Sequence, residues 1–267
     1  RHSSSNMKRK HIQSTNELYG GGAMKVTSNL NWHLDHMPKE HYPVIDAMIV
    51  HLEALTRGDI KRLVINIPPR HTKSTLLVIW RVWVWLQNPY ERILSASYSL
   101  NISIRDNLRC RRIIEDPWFQ ARFGNDFKLT GDQNAKSHFD NDQQGYQMAL
   151  SVAGGTTGHG GSILVFDDLH NADEAHSEKD RETALNWFRE VWTNRLNDQL
   201  NDRMLLVGQR IHAADVCGYV LSERPDWISL ILSAFYESAR HCTTPIWSDP
   251  RKEEGELLWP MRFSKET

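Results

Sequence analysis

The sequence has few cysteines and no apolar run long enough to cross a membrane. Its three cysteines, Cys110, Cys217 and Cys242, are an odd number with no CxxC spacing. This argues against a disulfide framework and a structural zinc site, and it suits a reducing cytosol. The most apolar run, residues 76–86, is too short to span a bilayer and contains Arg81. We therefore expect no membrane association.

The sequence also has no excess of positive charge. It carries 32 lysines and arginines against 33 acidic residues, a net charge of −1. A protein that grips DNA continuously usually has a clear basic excess. The thirteen histidines are scattered and form no HExxH pattern, so a catalytic zinc site is not indicated. The composition thus argues against a static, high-affinity DNA binder. A net charge near zero still allows a local basic face.

Short apolar runs alternate with longer amphipathic segments along most of the 267 residues. Strands are predicted at 63–67, 92–98, 147–152, 163–166, 204–207 and 228–232. Helices are predicted at 42–55, 73–86, 102–114, 177–196 and 213–221. The polar, turn-rich stretch 116–144 shows two weak strands, near 127–129 and 137–139. Strands that alternate with helices predict an α/β fold with a mainly parallel sheet and helices on both faces.

A candidate phosphate-binding loop follows the first predicted strand. Residues 68–75 read Pro-Pro-Arg-His-Thr-Lys-Ser-Thr and lead into a predicted helix. Such a loop needs backbone N–H groups, a lysine for the β- and γ-phosphates, and a hydroxyl for Mg²⁺. Lys73 and Ser74 supply the last two in the first helical turn. The glycines of the standard pattern are replaced by Ile67 and Thr72, so an ordinary capped helix remains the alternative.

A pair of acidic residues ends a second buried strand about ninety residues further on. Residues 163–168 read Ile-Leu-Val-Phe-Asp-Asp, which places Asp167 and Asp168 at a strand terminus. Mg²⁺ prefers one or two carboxylates together with phosphate oxygens. The neighbouring acid is then available to orient or deprotonate the attacking water. The alternative is a strand that simply ends in an aspartate-capped turn.

Four segments in this order resemble the large terminase subunits of tailed phages. Residues 62–74 are similar to that family's variant Walker A motif, and residues 158–168 to its glycine-rich approach to Walker B. Residues 206–215 resemble its coupling motif, and residues 259–263, Trp-Pro-Met-Arg-Phe, the closing segment of its ATPase part. Thr72, Gln209 and Met261 stand where the family usually has Gly, Thr and Glu. A β-branched Thr72 is strained if the loop needs a positive φ.

The resemblance implies a RecA-like P-loop ATPase of the ASCE class with a small lid subdomain. We expect an N-terminal arm at 1–30, the ATPase core at 31–212, and the end of the core, the lid and the start of a linker at 213–267. The nuclease domain of the family is expected to be absent. The implied cofactors are ATP and Mg²⁺. The implied partners are double-stranded DNA, the portal protein, the small terminase subunit and further copies in a ring, typically five, in the cytoplasm of the infected bacterium at the procapsid portal.

Roles for individual residues follow from the resemblance. Lys73 is expected to hold the β/γ-phosphates, Ser74 and Asp167 to hold Mg²⁺, and Asp168 to act on the water. Arg70 is expected to contact the γ-phosphate, and Gln209 to sense it. The predicted nucleotide-binding residues are Pro69, Arg70, His71, Thr72, Lys73, Ser74 and Thr75.

Other residues keep more than one interpretation. Trp32 is a candidate cover for adenine, whereas Trp80, Trp83 and Trp85 are expected to be core residues rather than a base-stacking platform. The arginines of the helix at 102–114 are a solvated face, a source of DNA phosphate contacts or a source of an arginine finger that reaches the site of a neighbouring subunit; they are Arg105, Arg109, Arg111 and Arg112. Two other functions stay open, a helicase-like ATPase and a nucleotide-binding assembly scaffold with impaired hydrolysis.

Overall fold

The computed structural model describes residues 43–152, 154, 158–171 and 177–263. The chain divides into two units, Arg1–Glu40 and His41–Thr267, and the described residues belong to the second. The predicted arm at 1–30 and Trp32 lie outside the described residues. Within them, no helix is both long and apolar enough to cross a bilayer.

An eight-stranded sheet lies at the centre of the second unit, in the order β3-β4-β5-β2-β6-β7-β1-β8. Six neighbouring strands, from β5 to β8, pair in parallel. The remaining two, β3 and β4, add an antiparallel edge next to β5. The strands are β1 (Arg62–Asn66), β2 (Arg92–Ser97), β3 (Leu129–Asn134), β4 (His138–Asn141), β5 (Tyr146–Ser151), β6 (Ile163–Asp167), β7 (Arg203–Gly208) and β8 (Ile228–Ile231).

Six α-helices are described with this sheet. They are α1 (Pro43–Arg57), α2 (Lys73–Gln87), α3 (Leu100–Glu115), α4 (Pro117–Phe123), α5 (Glu178–Asn186) and α6 (Val216–Glu223). Helix α3 packs on β2 and β5, while α1 and α6 pack against β1. Strands β1, β6 and β7 are buried over nearly their whole length, which requires cover on both faces of the sheet. The predicted α/β fold with a mainly parallel sheet is confirmed, and it is consistent with a RecA-like domain.

The tryptophans of α2 belong to the core, as predicted. Trp80, Trp83 and Trp85 are all buried. Trp85 meets Phe127 and Phe139 edge-on, with ring centroids 5.4 and 5.6 Å apart. Edge-to-face pairs of this kind are favourable for aromatic rings. These contacts hold α2 against the antiparallel edge of the sheet and leave none of the three rings available to stack on a nucleic acid base.

Helix α4 was not predicted, because the stretch 116–144 is polar and rich in turn residues and indicated only two weak strands. The side chain of Asp116 accepts a hydrogen bond from the Trp118 backbone N–H at 2.9 Å, and Pro117 occupies the first helical position. An aspartate cap followed by proline is a known helix-start signal. The sequence therefore contained the signal. The two weak strands of this stretch are present as β3 and β4, a few residues later than expected.

The single helix predicted at 177–196 is wrong beyond Asn186. Helix α5 ends there, and a π-helix (Trp187–Trp192) and a 3-10 turn (Thr193–Arg195) continue the chain. Trp187 and Phe188 are adjacent in sequence, and both are buried against Phe166. A wider helical turn accommodates two consecutive core residues that a regular amphipathic helix would point in different directions.

The turn-rich C-terminal stretch contains only short elements among the described residues. A 3-10 turn (Ser238–Arg240) precedes a two-stranded ribbon, β9 (Thr243–Thr244) and β10 (Trp247–Ser248). Helix α6 begins three residues later than predicted, at Val216. Because β8 pairs with β1, the sheet of the core extends at least to residue 231, inside the stretch expected to hold the end of the core.

The order of the strands brings three loops to one edge of the sheet. Strand β7 lies between β1 and β6, and all three are parallel. The carboxyl ends of parallel strands share one edge, which is where ligands bind in open α/β sheets. The segments that follow β1, β6 and β7 therefore converge at this edge. They are the predicted phosphate loop, the acidic pair and the segment that resembles a coupling motif.

Candidate active site

The predicted phosphate loop connects β1 to α2 through two residues with positive φ. Arg70 has φ 62° and Thr72 has φ 60°, and Lys73, Ser74 and Thr75 form the first turn of α2. Pro69 and Arg70 are exposed at the outer end of the loop. This alternation turns the chain sharply, so that the helix N-terminus faces the edge where the three segments meet.

Thr72 is held in the left-handed region, which is the condition under which a β-branched residue at this position is strained. Its ψ is 15°, and its hydroxyl donates to the His71 carbonyl at 2.7 Å rather than capping the helix. A β-branched residue in this conformation costs on the order of 1–3 kcal/mol. The loop therefore carries a conformational cost that glycine would not impose.

The amine of Lys73 points towards the acidic pair. Its Nζ lies 3.6 Å from Oδ1 of Asp168 and 3.4 Å from the carbonyl oxygen of Ile67. Lys73 is only 7% exposed, so the charge on its amine is largely removed from water. Because the one carboxylate near this buried cation is as far away as 3.6 Å, the amine is well suited to bind a further anion.

Asp168 occupies a turn fixed by backbone hydrogen bonds to both neighbouring segments. Its N–H donates to the Val207 carbonyl at 2.9 Å, and its carbonyl accepts from the Tyr98 N–H at 3.1 Å. Its φ of 49° is left-handed, which aspartate tolerates better than most residues. Its Oδ1 also accepts from the Gln209 N–H at 3.3 Å. Asp168 therefore contacts both the lysine of the loop and the segment after β7.

Asp167 ends β6 on the inner side of this turn. Its Oδ1 is buried and has no hydrogen-bond partner among the described residues. Burial, and after it the charge of Asp168, raise the pKa of Asp167 to about 7, although a hydrogen bond with Ser74 and the charge of Lys73 oppose the rise. A carboxylate oxygen that is buried without a partner, beside a hydroxyl, fits a cation ligand.

The segment after β7 is organised by Asp215. Its carboxylate caps α6 by accepting from the Gly218 N–H, and it also accepts from the N–H groups of Ile211 and His212. His170, two residues after Asp168, accepts a hydrogen bond from the Val216 N–H at 3.0 Å through Nε2. The acidic turn and the start of α6 are thus joined directly. The role of His170 was not predicted, because nothing in the local sequence indicates its distant partner.

His71 points away from the ligand side of the loop. Its ring is buried and stacks on Phe263, with centroids 4.6 Å apart and an interplanar angle of 18°. Its Nδ1 lies 2.9 Å from the Pro69 carbonyl oxygen, and burial is the main cause that lowers its pKa. The structure therefore brings together Lys73, Ser74, Asp167, Asp168 and Gln209, whereas the side chain of His71 contacts the closing segment at 259–263.

No protein-family model matches this chain, and no curated protein matches it in sequence. Among solved structures it is similar to the N-terminal domain of the DNA packaging ATPase from bacteriophage phi29. The TM-score is 0.41 at 12% identity, over 67% of this chain and 93% of that one. This likeness is too distant to assign a function.

Proposed function

We propose that the chain is the ATP-hydrolysing motor domain of a viral terminase, which translocates double-stranded DNA into a procapsid. The observation that carries the proposal is the convergence of a buried lysine, a serine and two aspartates at the carboxyl edge of a parallel sheet. Lys73 lies 3.6 Å from Asp168, and Ser74 contacts Asp167. A lysine, a hydroxyl and a carboxylate are what a magnesium nucleotide requires.

Each of these residues has a distinct role in the proposed reaction. Lys73 binds the β/γ-phosphates, and Ser74 and Asp167 hold Mg²⁺, which offsets negative charge on the phosphates when bound. Asp168 orients the attacking water and accepts its proton. Gln209 follows β7 and donates its N–H to Asp168, which suits a residue that senses the γ-phosphate. Arg70 is exposed at the tip of the loop, from where it is proposed to contact that phosphate.

The proposed partners follow from the motor function. They are double-stranded DNA, the portal protein, the small terminase subunit and further copies of the chain in a ring, in the cytoplasm of an infected bacterium. The support for them is the resemblance of the four motifs alone. DNA contacts are expected to be independent of sequence, because a translocating motor must pass over every base pair.

The test is magnesium-dependent ATP turnover over a range of protein concentrations, for the wild type, Lys73→Ala and the control Lys179→Ala. Lys179 is an exposed residue of α5. Turnover that requires Lys73 but not Lys179 and that rises more than linearly with concentration supports a ring ATPase. Absence of both turnover and nucleotide binding in the wild type would rule out the proposed function. Stimulation by duplex DNA without unwinding of a forked duplex separates a packaging motor from a helicase.

One observation favours a second candidate, a nucleotide-binding scaffold with impaired hydrolysis. Thr72 adopts φ 60°, a conformation in which a β-branched residue is strained. A loop under this strain is expected to hold the phosphates less accurately than a loop with glycine. Nucleotide binding without turnover in the wild type, with turnover in Thr72→Gly, is the result expected of the scaffold.

A further inference from the structure

The four arginines of α3 differ in their surroundings. Arg111 donates to the Asn134 carbonyl at 3.1 Å and pairs with Glu115 at 3.4 Å, so it ties α3 to the antiparallel edge of the sheet. Arg112 is exposed. Only Arg105 and Arg109 contact Asp106, and these two contacts set them apart from the rest of the helix.

Asp106 holds Arg105 in a two-point contact. Nε of Arg105 donates to Oδ1 of Asp106 at 3.0 Å, and Nη2 donates to Oδ2 at 3.0 Å. Arg109 adds a longer bond, from Nη1 to Oδ1, at 3.3 Å. Asp106 is only 7% exposed. A bidentate pair between guanidinium and carboxylate fixes the orientation of the guanidinium plane as well as its position. The orientation of the Arg105 guanidinium is therefore fixed by a carboxylate that is itself buried.

Asp106 faces the proposed magnesium ligands across a small cavity. Ser74, Asp106 and Asp167 all line this cavity of about 20 Å³, which is room for a single water molecule. The hydrogen bond with Asp106 is the main cause that raises the pKa of Arg105, and the charge of Asp167 also raises it. Asp106 therefore links the guanidinium of Arg105 to the cavity that the proposed magnesium ligands line.

Part of the Arg105 guanidinium remains available to a ligand. The side chain is 49% exposed, and Nη1 has no hydrogen-bond partner among the residues that the structure describes. Phosphoryl transfer needs a cation that offsets the charge developing on the γ-phosphate, and an arginine supplied by the same chain or by a neighbour provides it in known enzymes. Arg105 fits this requirement, because it is partly exposed and is oriented by a carboxylate that lines the same cavity as the proposed magnesium ligands.

We propose that Arg105 is a second arginine, besides Arg70 of the loop, that contacts the γ-phosphate from within the same subunit, and that Asp106 is the residue that positions it. This inference rests on the proposed ATPase function. The sequence left open which of four arginines of α3 reaches a neighbouring subunit as an arginine finger, whereas this proposal gives one of them a role within its own subunit. Arg112, exposed on the same helix, is then left as a solvated charge or a contact to DNA.

The first test compares the affinities of a non-hydrolysable ATP analogue and of ADP for the wild type, Arg105→Ala and Arg112→Ala. Because ADP has no γ-phosphate, loss of Arg105 is expected to weaken analogue binding at least tenfold and to leave ADP binding within about twofold. Asp106→Asn is also expected to weaken binding of the ATP analogue relative to ADP, but by a smaller factor than Arg105→Ala. Arg112→Ala removes the same charge from the same helix and is expected to change neither affinity. Equal losses for both nucleotides, or no loss, would overturn the inference.

The second test distinguishes action within one subunit from action between subunits. Lys73→Ala retains Arg105, and Arg105→Ala retains Lys73, so a mixture recovers turnover only if Arg105 acts on the site of a neighbour. No recovery is expected. Recovery in the mixture would overturn the assignment to the same subunit. Absence of nucleotide binding in the wild type would overturn the proposed ATPase function and the inference with it. Normal turnover in both the wild type and Arg105→Ala would overturn only the inference.

Discussion

His71 of the proposed phosphate loop stacks face to face on Phe263, with ring centroids 4.6 Å apart. Trp259 lies next to the same imidazole, with centroids 6.1 Å apart, and the Arg262 guanidinium lies over both the Trp259 and Phe263 rings. The loop is therefore supported from behind by the segment 259–263. In sequence this segment is almost two hundred residues from the loop, and only the fold brings the two together.

Loss of the Phe263 ring is expected to loosen the loop. Phe263→Ala should lower the free energy of unfolding by about 1–3 kcal/mol and weaken nucleotide binding by about three- to tenfold, because Lys73 follows His71 by two residues. Thermal melting and nucleotide titration measure the two effects. Met261→Ala is the control, since Met261 is 62% exposed in the same segment. Equal behaviour of the two variants would show that the stack does not support the loop.

Replacement of Thr72 by glycine is expected to stabilise the protein. Thr72 has φ 60°. Removing its β-branched side chain relieves backbone strain, and this gain should exceed the added conformational entropy of the unfolded chain by about 1 kcal/mol. For a domain of this size the melting temperature should rise by about 2–4 °C. Thr75→Gly, in the first turn of α2, should instead cost about 1 kcal/mol of helix propensity. A fall in stability for both variants would show that Thr72 is not strained.

The sequence was sufficient for the parallel sheet and for the segments that meet at its edge. Strands such as β6 and β7 are continuous apolar runs, and the pattern of a buried parallel strand is local. The contact between Lys73 and Asp168 was not predicted, because it depends on the strand order that places β7 between β1 and β6. The position of Asp106 was not predicted either, because a single aspartate in an arginine-rich helix looks like part of a charged face. Its burial depends on the packing of α3 against β2 and β5. The π-helix was missed for a similar reason, since its wide turn depends on the contacts of Trp187 and Phe188 with Phe166.

Asp168 is expected to be required for turnover and not for nucleotide binding. Asp168→Asn keeps the size of the side chain and its tolerance of the left-handed φ of 49°, but it removes the carboxylate that accepts a proton. Turnover should fall by about 10²–10⁴-fold, while the affinity for a non-hydrolysable ATP analogue stays within a few-fold. Asp132→Asn, on the exposed part of β3, is the control. Retained turnover in Asp168→Asn would remove Asp168 from the proposed mechanism.

Asp167 is expected to destabilise the protein in the absence of a cation. Burial is the main cause that raises its pKa to about 7, above the value of about 4 expected in the unfolded chain. Between these two values the folded state retains a proton that the unfolded state has released. The free energy of unfolding therefore falls as the pH rises from about 4 to 7, and the full cost is present above pH 7.

Asp167→Asn has no carboxylate to titrate, so it should be more stable than the wild type at pH 8 in the presence of a chelator. The expected difference is on the order of 1–4 kcal/mol, and it should shrink towards zero as the pH is lowered to about 4. Chemical unfolding at a series of pH values measures it, and taking the difference between the two proteins cancels the titration of other groups. Addition of Mg²⁺ with an ATP analogue should reverse the order of stability, because the wild-type carboxylate then gains a ligand and the asparagine is a weaker one. A variant that is less stable than the wild type at pH 8 without cation would show that the Asp167 carboxylate is stabilised by the protein itself, and it would remove the physical argument for a magnesium ligand at this position.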